Sequence, residues 1–275
     1  MNEKNSILLI DPDFNPVVSE HCTLLLRVSI DSFSYSIIDK RTNKIYAIYD
    51  EQDCDEVTKK VAELLNSDPH FKLNYNNVKC SLHAETNIFI PNSIYESKEY
   101  NLNSSFYTND IDILEINSHK ALGFTSAFSI NRNLTEILAS ISSSIKIFNP
   151  FSALLKLAEG LSLDSLLFDF TAGSMQVLYL KEGKVIFNQY YEVADGEEFQ
   201  YFVLLLIHQL NIDTGQTDVY ASGIIHENDE KHNCLKQYFK TVQFLDYVNL
   251  GDDQEVLEDM PLHYYTTLLA LGQCE

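Results

Sequence analysis

Tryptophan is absent from this chain, basic residues are scarce, and no apolar run is long enough to cross a bilayer. The shortage of positive charge excludes most. Only 19 Lys and Arg stand against 40 Asp and Glu, a net charge of −21. That field repels a nucleic-acid backbone and an anionic membrane surface alike, so neither is an expected partner. The tightest basic group, Lys40, Arg41 and Lys44, reads as a solvated hairpin turn. The longest apolar stretch, Phe199 to Leu210, is broken by Gln200, His208 and Gln209. It falls short of the roughly 20 residues a membrane span needs, and a buried helix accounts for it. At the N-terminus the run Ile7–Ile10 stops at Asp11-Pro12, too short for a signal peptide. Cys22, Cys54, Cys80, Cys234 and Cys274 are odd in number and form no CxxC pair. Reduced thiols in a cytoplasmic setting are the expectation. GxSxG, Walker A and GxGxxG are all missing, which removes the nucleophile elbow, the P-loop and the Rossmann turn.

What is present suits a folded α/β protein. Hydrophobic residues make up 45% and charged residues 21%, enough for a sizeable core. The 16 Tyr and 16 Phe favour sheets that bury one face of each ring. Thr23–Ile30, Phe33–Asp39 and Ile45–Tyr49 read as strands, and Asp53–Leu65 as a helix capped by Asp53 or Asp55. Ser165–Phe170, Ser174–Leu180 and Val185–Tyr191 repeat that order, followed by a helix from Gly196 to Asn211. Setting Lys44 on Lys184 places Ile37-Ile38 on Val177-Leu178 and Ile45-Tyr46 on Val185-Ile186. Two copies in one order, each opening a similar half, point to duplication. Thr217–Gly223 reads as a buried strand running into a glycine, and Pro261–Leu271 as a last helix.

Strand, hairpin, strand, helix, in duplicate, resembles the actin-like ATPase superfamily. More narrowly, the second half resembles a bacterial domain-of-unknown-function family with that fold, through LLFDFTAGSMQVLYLKEGKVIF, YFVLLLIHQL, DVYASG and the terminal helix. The resemblance implies an α/β protein with a duplicated ribonuclease-H-like fold, two lobes each with a mixed sheet and flanking helices. It divides the chain into a tail at 1–22, a first lobe at 23–160 and a second at 161–275, whose last helix packs back on the first. It also implies ATP with Mg²⁺ as a relic. Asp31 and Asp169 then match the Asp of each phosphate loop, Thr171, Gly173 and Ser174 form an anion-binding turn, and Gly223 opens the adenosine turn. Glycines at such places let backbone N–H groups approach phosphate.

The loops depart from that pattern. Phe33 takes the glycine position of the first loop, Thr171 that of the second, and Ile224-Ile225 follow Gly223. Phe33 is either a ring in the phosphate path or a strand residue beneath the hairpin, and its β-propensity favours the second. Asp31 and Asp169 are either catalytic relics or strand-end residues satisfying nearby backbone groups. The turn at Thr171–Ser174 is either an anion site or a plain bend. His226, His232 and Cys234 have metal-ligand chemistry without a familiar metal spacing, so no metal is assigned. The acidic runs 50–53 and 252–255 read as solvated loops. The residues commit to no catalytic group and no cofactor. The expectation is a scaffold or adaptor that binds a protein partner, with an ATP-binding protein or phosphotransferase as the alternative.

Overall fold

A computed structural model of the chain describes residues 6–97, 112–246 and 255–275. The first half runs β1 (Ser6–Ile10), β2 (Cys22–Val28), β3 (Phe33–Asp39), β4 (Lys44–Glu51), α1 (Val57–Ser67) and β5 (Asn77–Leu82). An insertion follows: β6 (Asn87–Pro91), α2 (Asn92–Ser97), β7 (Asp112–His119), β8 (Phe124–Asn131) and α3 (Arg132–Ala139). β9 (Lys146–Phe148) and α4 (Ser152–Ala158) complete it. The second half runs β10 (Ser165–Phe170), β11 (Ser174–Lys181), β12 (Lys184–Glu192), α5 (Gly196–Gln209), β13 (Asp218–Gly223), α6 (Glu230–Tyr238), β14 (Thr241–Phe244) and α7 (Thr266–Ala270).

The sheets carry the duplication. One is ordered β1-β4-β3-β2-β5-β9 and the other β12-β11-β10-β13-β14. In each, an antiparallel hairpin pair is followed by parallel strands, so the second order repeats the first without β1. β6, β8 and β7 form a separate antiparallel sheet inserted into the first half. The N-terminal stretch, read as a tail with one short strand, holds β1, which pairs antiparallel with β4 and forms the outer edge of the first sheet.

Near-continuous apolar strands are buried on both faces, as sheets covered on two sides require. On the outer faces, Leu24, Leu26, Tyr35 and Ile37 pack with Val61 of α1, and Phe168, Phe170 and Val177 pack with Phe199 and Val203 of α5. On the inner faces, Leu268–Leu271 cover Leu25, Ile38, Ile45 and Ile48 of the first sheet. Leu154 and Leu155 of α4 cover Leu167 and Leu178 of the second. Each such buried side chain is worth roughly 1.5–3 kcal/mol. α4 and α7 also pack on each other, so the two lobes share one interior.

Local chemistry sets the helix ends. Asp195 caps α5 by accepting from the Glu198 N–H at 2.9 Å, and Asn131 caps α3 through the Leu134 N–H. Neither Asp53 nor Asp55 caps α1. Asp53 has φ +59°, and the helix starts later, from Glu56, without a side-chain cap. The polar stretch 98–107 and most of the acidic run 252–255 fall outside the described residues. Among the described residues no helix is long and apolar enough to cross a membrane.

Candidate functional site

Strand register corrects the internal alignment. The turn joining β3 to β4 spans residues 40–43, whereas Glu182 and Gly183 alone join β11 to β12, both with positive φ. Lys44 does match Lys184, but the two-residue difference moves everything before the turn. Ile37 falls on Tyr179 rather than Val177. Bulges confirm the match, lying between Ile37 and Ile38 and between Tyr179 and Leu180. Continuing backward, Phe33 falls on Met175 and Val28 on Phe170. Arg27 is therefore the counterpart of Asp169, and Asp31 stands level with Gly173. Matching loop bonds agree. Ser29 N–H donates to the Ser32 carbonyl as Thr171 N–H does to Ser174, and Cys54 N–H donates to Asp31 O as Val193 N–H does to Gly173 O.

Phe33 has no solvent exposure and sits among Tyr35, Tyr49 and Phe71 on the outer face of the first sheet. Its ring lies in the core, not in a phosphate path. Gly223 has φ +79°, and a Cβ there would stand 2.0 Å from the Phe170 carbonyl oxygen. Close approach of β13 to β10 accounts for this glycine.

Two polar rows cross the sheets at the cleft. Asp50, Ser34, Arg27 and Ser81 lie side by side on β4, β3, β2 and β5. Tyr190, Gln176, Asp169 and Ser222 occupy the matching positions on β12, β11, β10 and β13. The rows are joined by an ion pair from Arg27 to Asp169 Oδ2. The Asp169 side chain is wholly buried, and Arg27 is 13% exposed. Asp169 Oδ1 also accepts from Ser222 Oγ at 2.7 Å and from Thr267 Oγ1 of α7 at 2.6 Å.

The turn at Thr171–Ser174 crosses in the opposite sense. Asp31 Oδ2 accepts from Thr171 Oγ1 at 2.7 Å and from the Gly173 N–H at 3.2 Å. Gln52 Oε1 accepts from the Ala172 N–H at 3.1 Å. A Cβ on Gly173 would meet Asp31 Oδ2 at 3.3 Å, so the bare Cα gives the carboxylate its room. The hydroxyl and backbone donors of this turn are thus taken by a carboxylate of the same chain. Gln52 also donates to Asp50 Oδ1 at 2.9 Å. Burial raises Asp50 to about 6, with Gln52 and Arg27 opposing the rise and Asp31 adding to it. Tyr190 is pushed to about 12, mainly by burial.

The cleft thus gathers Asp31, Asp169, Thr171, Gly173 and Ser174, while Gly223 serves the strand contact. Sequence reasoning missed Arg27, Gln52, Ser222 and Thr267. A signal for Arg27 was present: Leu24-Leu25-Leu26-Arg27-Val28 and Leu166-Leu167-Phe168-Asp169-Phe170 are each an apolar run with one charge in the fourth place. His232 and His226 are engaged locally, the first accepting from the Asn228 N–H through Nδ1 and the second meeting Tyr264 Oη.

Comparison with known proteins agrees with this architecture. The family model described as a protein of unknown function, DUF3822, matches residues 11–242. A Bacteroides thetaiotaomicron protein with an actin-like ATPase fold and unknown function superposes with a TM-score of 0.72. The sequences are 15% identical, and the match covers 95% of this chain and 99% of that one. The PilM-PilN type IV pilus biogenesis complex matches with a TM-score of 0.59 at 12% identity, covering 91% of this chain and 97% of that chain. The ethanolamine utilization protein EutJ from Carboxydothermus hydrogenoformans reaches 0.54 at 9% identity, covering 97% and 93%. No curated protein matches. The chain has the actin-like ATPase fold, a duplicated ribonuclease-H-like architecture of two lobes.

Proposed function

We propose that this chain, which belongs to the DUF3822 family of proteins of unknown function, is a non-catalytic cytoplasmic scaffold or adaptor whose nucleotide cleft is filled by its own side chains. The observation that carries this reading is the Asp31 carboxylate on the Thr171–Gly173 donors. Donors of that kind are what a phosphate would need, and an internal anion already uses them. The Arg27–Asp169 pair supports it. A magnesium ion needs carboxylate oxygens with free lone pairs, whereas both oxygens of Asp169 accept from protein groups. A guanidinium stands at the position matching Asp169. Apart from Asp31 Oδ1, which has no hydrogen-bond partner, the carboxylate oxygens and turn donors that Mg²⁺ with ATP would use are engaged within the chain, so the residues present fit that group poorly.

A fold carries no fixed activity, and two-lobed frames of this kind serve as binding surfaces as readily as enzymes. Similarity to the protein of the PilM-PilN complex favours a protein partner. The chain's charge of −21 disfavours nucleic acid.

Thermal unfolding with and without Mg²⁺ and ATP or ADP tests the reading. A ligand at about 100 times its Kd adds about 2.7 kcal/mol to the native state. No change in Tm at millimolar nucleotide is expected. A clear rise that Asp169→Ala abolishes would instead establish the ATP-binding or phosphotransferase alternative.

A further inference from the structure

The two lobes differ at one place that their shared frame makes directly comparable. In the first, β1 covers the outer edge of β4, with Ser6–Ile10 antiparallel to Ala47–Glu51. In the second, β12 ends its sheet, and among the described residues no strand lies beyond it. With Lys44 on Lys184, the covered stretch Ala47–Glu51 falls on Phe187–Tyr191. An open edge presents a row of unpaired N–H and C=O groups. Charged side chains usually protect such an edge, but here Lys184 and Glu192 stand only at its ends. Between them Ile186 is 51% exposed. Gln189 turns its side chain onto its own strand, donating to the Tyr190 carbonyl at 3.2 Å.

The adjoining helix differs in the same way. The exposed positions of α1 are polar: Thr58, Lys59, Glu63, Asn66 and Ser67. On α5, the matching helix, Tyr201 is 60% and Leu204 44% exposed. Tyr191 of β12 packs on Phe202 at 4.4 Å, and Tyr201 packs edge-on against Phe202. An aromatic shelf therefore borders the open edge.

We propose that the outer edge of β12 is a docking site for an extended, apolar, lysine- or arginine-bearing segment of another protein, added antiparallel beside Phe187–Tyr191. A strand is the occupant because β1 shows what this frame takes at the matching edge, and its sequence there, Ser-Ile-Leu-Leu-Ile, is apolar. Main-chain bonds would give affinity, and the shelf would select alternate side chains. The basic character follows from the rim, where the exposed acids Glu182, Glu192, Asp195 and Glu197 outnumber the exposed Lys181 and Lys184, and the acids alone stand at the Glu192 end. A second copy would bring another −21 of like charge to the same edge. Tyr190 belongs to the polar row at the cleft, but the edge contacts proposed here are main-chain groups facing away from β11, so the test does not depend on nucleotide binding.

The test uses the full chain and a synthetic peptide, Ser-Ile-Leu-Leu-Ile between lysine pairs, followed by fluorescence anisotropy and amide hydrogen exchange. Saturable binding is expected, with exchange slowed at residues 187–191. N-methylation of the backbone amides that face the protein should weaken binding about tenfold or more, while methylation of the opposite amides should leave it intact. Replacing the lysines by glutamates should weaken it also, and Gln189→Lys should weaken binding of the lysine-flanked peptide. Absence of binding, protection at 47–51 instead, or indifference to N-methylation would overturn the proposal. Concentration-dependent dimerisation of the chain that protects 187–191 would overturn the choice of occupant.

Discussion

Replacing Arg27 by Ala leaves Asp169 as a buried carboxylate without its cation. Its side chain has no solvent exposure, so water cannot take the place of the guanidinium. Breaking one partner of a buried pair costs roughly 3–5 kcal/mol. The hydroxyls of Ser222 and Thr267 still donate to Oδ1, which sets the expectation at the low end, about 3 kcal/mol. For a chain of this size that corresponds to a fall in Tm of roughly 6–12 °C. Asp169→Ala should cost less, because Arg27 retains some solvent access and has the Asp50 charge nearby. The double variant should be at least about 1.5 kcal/mol more stable than additivity predicts, since neither charge is then stranded. Urea unfolding of the four proteins, with a common slope, gives the cycle. A loss below about 1 kcal/mol for Arg27→Ala, or a coupling near zero, would refute the pair as the tie between the lobes.

Other consequences can be read from the same geometry. Asp50 rises from 3.8 to about 6 on folding, so the folded state holds its proton after the unfolded chain has released it. Stability is therefore lost as pH rises from about 4 to 6, by up to about 3 kcal/mol. Asp50→Asn should unfold at a higher temperature than the parent at pH 8 and converge with it near pH 4; parallel pH profiles would exclude this origin. Gly223→Ala places a Cβ against the Phe170 carbonyl at positive φ, and should cost about 3 kcal/mol or more by urea midpoint. A neutral result would show that β13 can move away from β10.

Much of the second lobe was legible residue by residue. Ser165–Phe170 emerged with the bounds read from the sequence, because an apolar run between turn residues has few alternatives. The helix beginning at Gly196 was equally plain, with an Asp before it and acidic residues in its first turn. The insertion was less plain. Its strands are short, and the polar stretch after α2 has no periodicity to read. The misaligned hairpin came from anchoring both halves on a lysine after the turn. Turn length differs between the lobes, and a side-chain pattern of period two tolerates a two-residue slip without a visible fault. That slip sets Ser29 rather than Arg27 on Asp169 and hides Arg27, while the pairing of Asp31 with Asp169 came from the phosphate-loop pattern and not from the hairpin.

The sequence by itself determined the duplicated frame, the acidity, and the departure of the loops from a phosphate-binding pattern, because these rest on local propensity and composition. Only the tertiary structure decided what fills the cleft. Arg27 and Asp169 are 142 positions apart, as are Asp31 and Gly173. Whether a buried charge is a catalyst or half of an ion pair depends on what the fold sets opposite it, and no local pattern records that. The same holds for β12. Its strand character is written in its residues, but its open edge appears only when the sheet order is known and β1 is seen covering the matching edge of the other lobe.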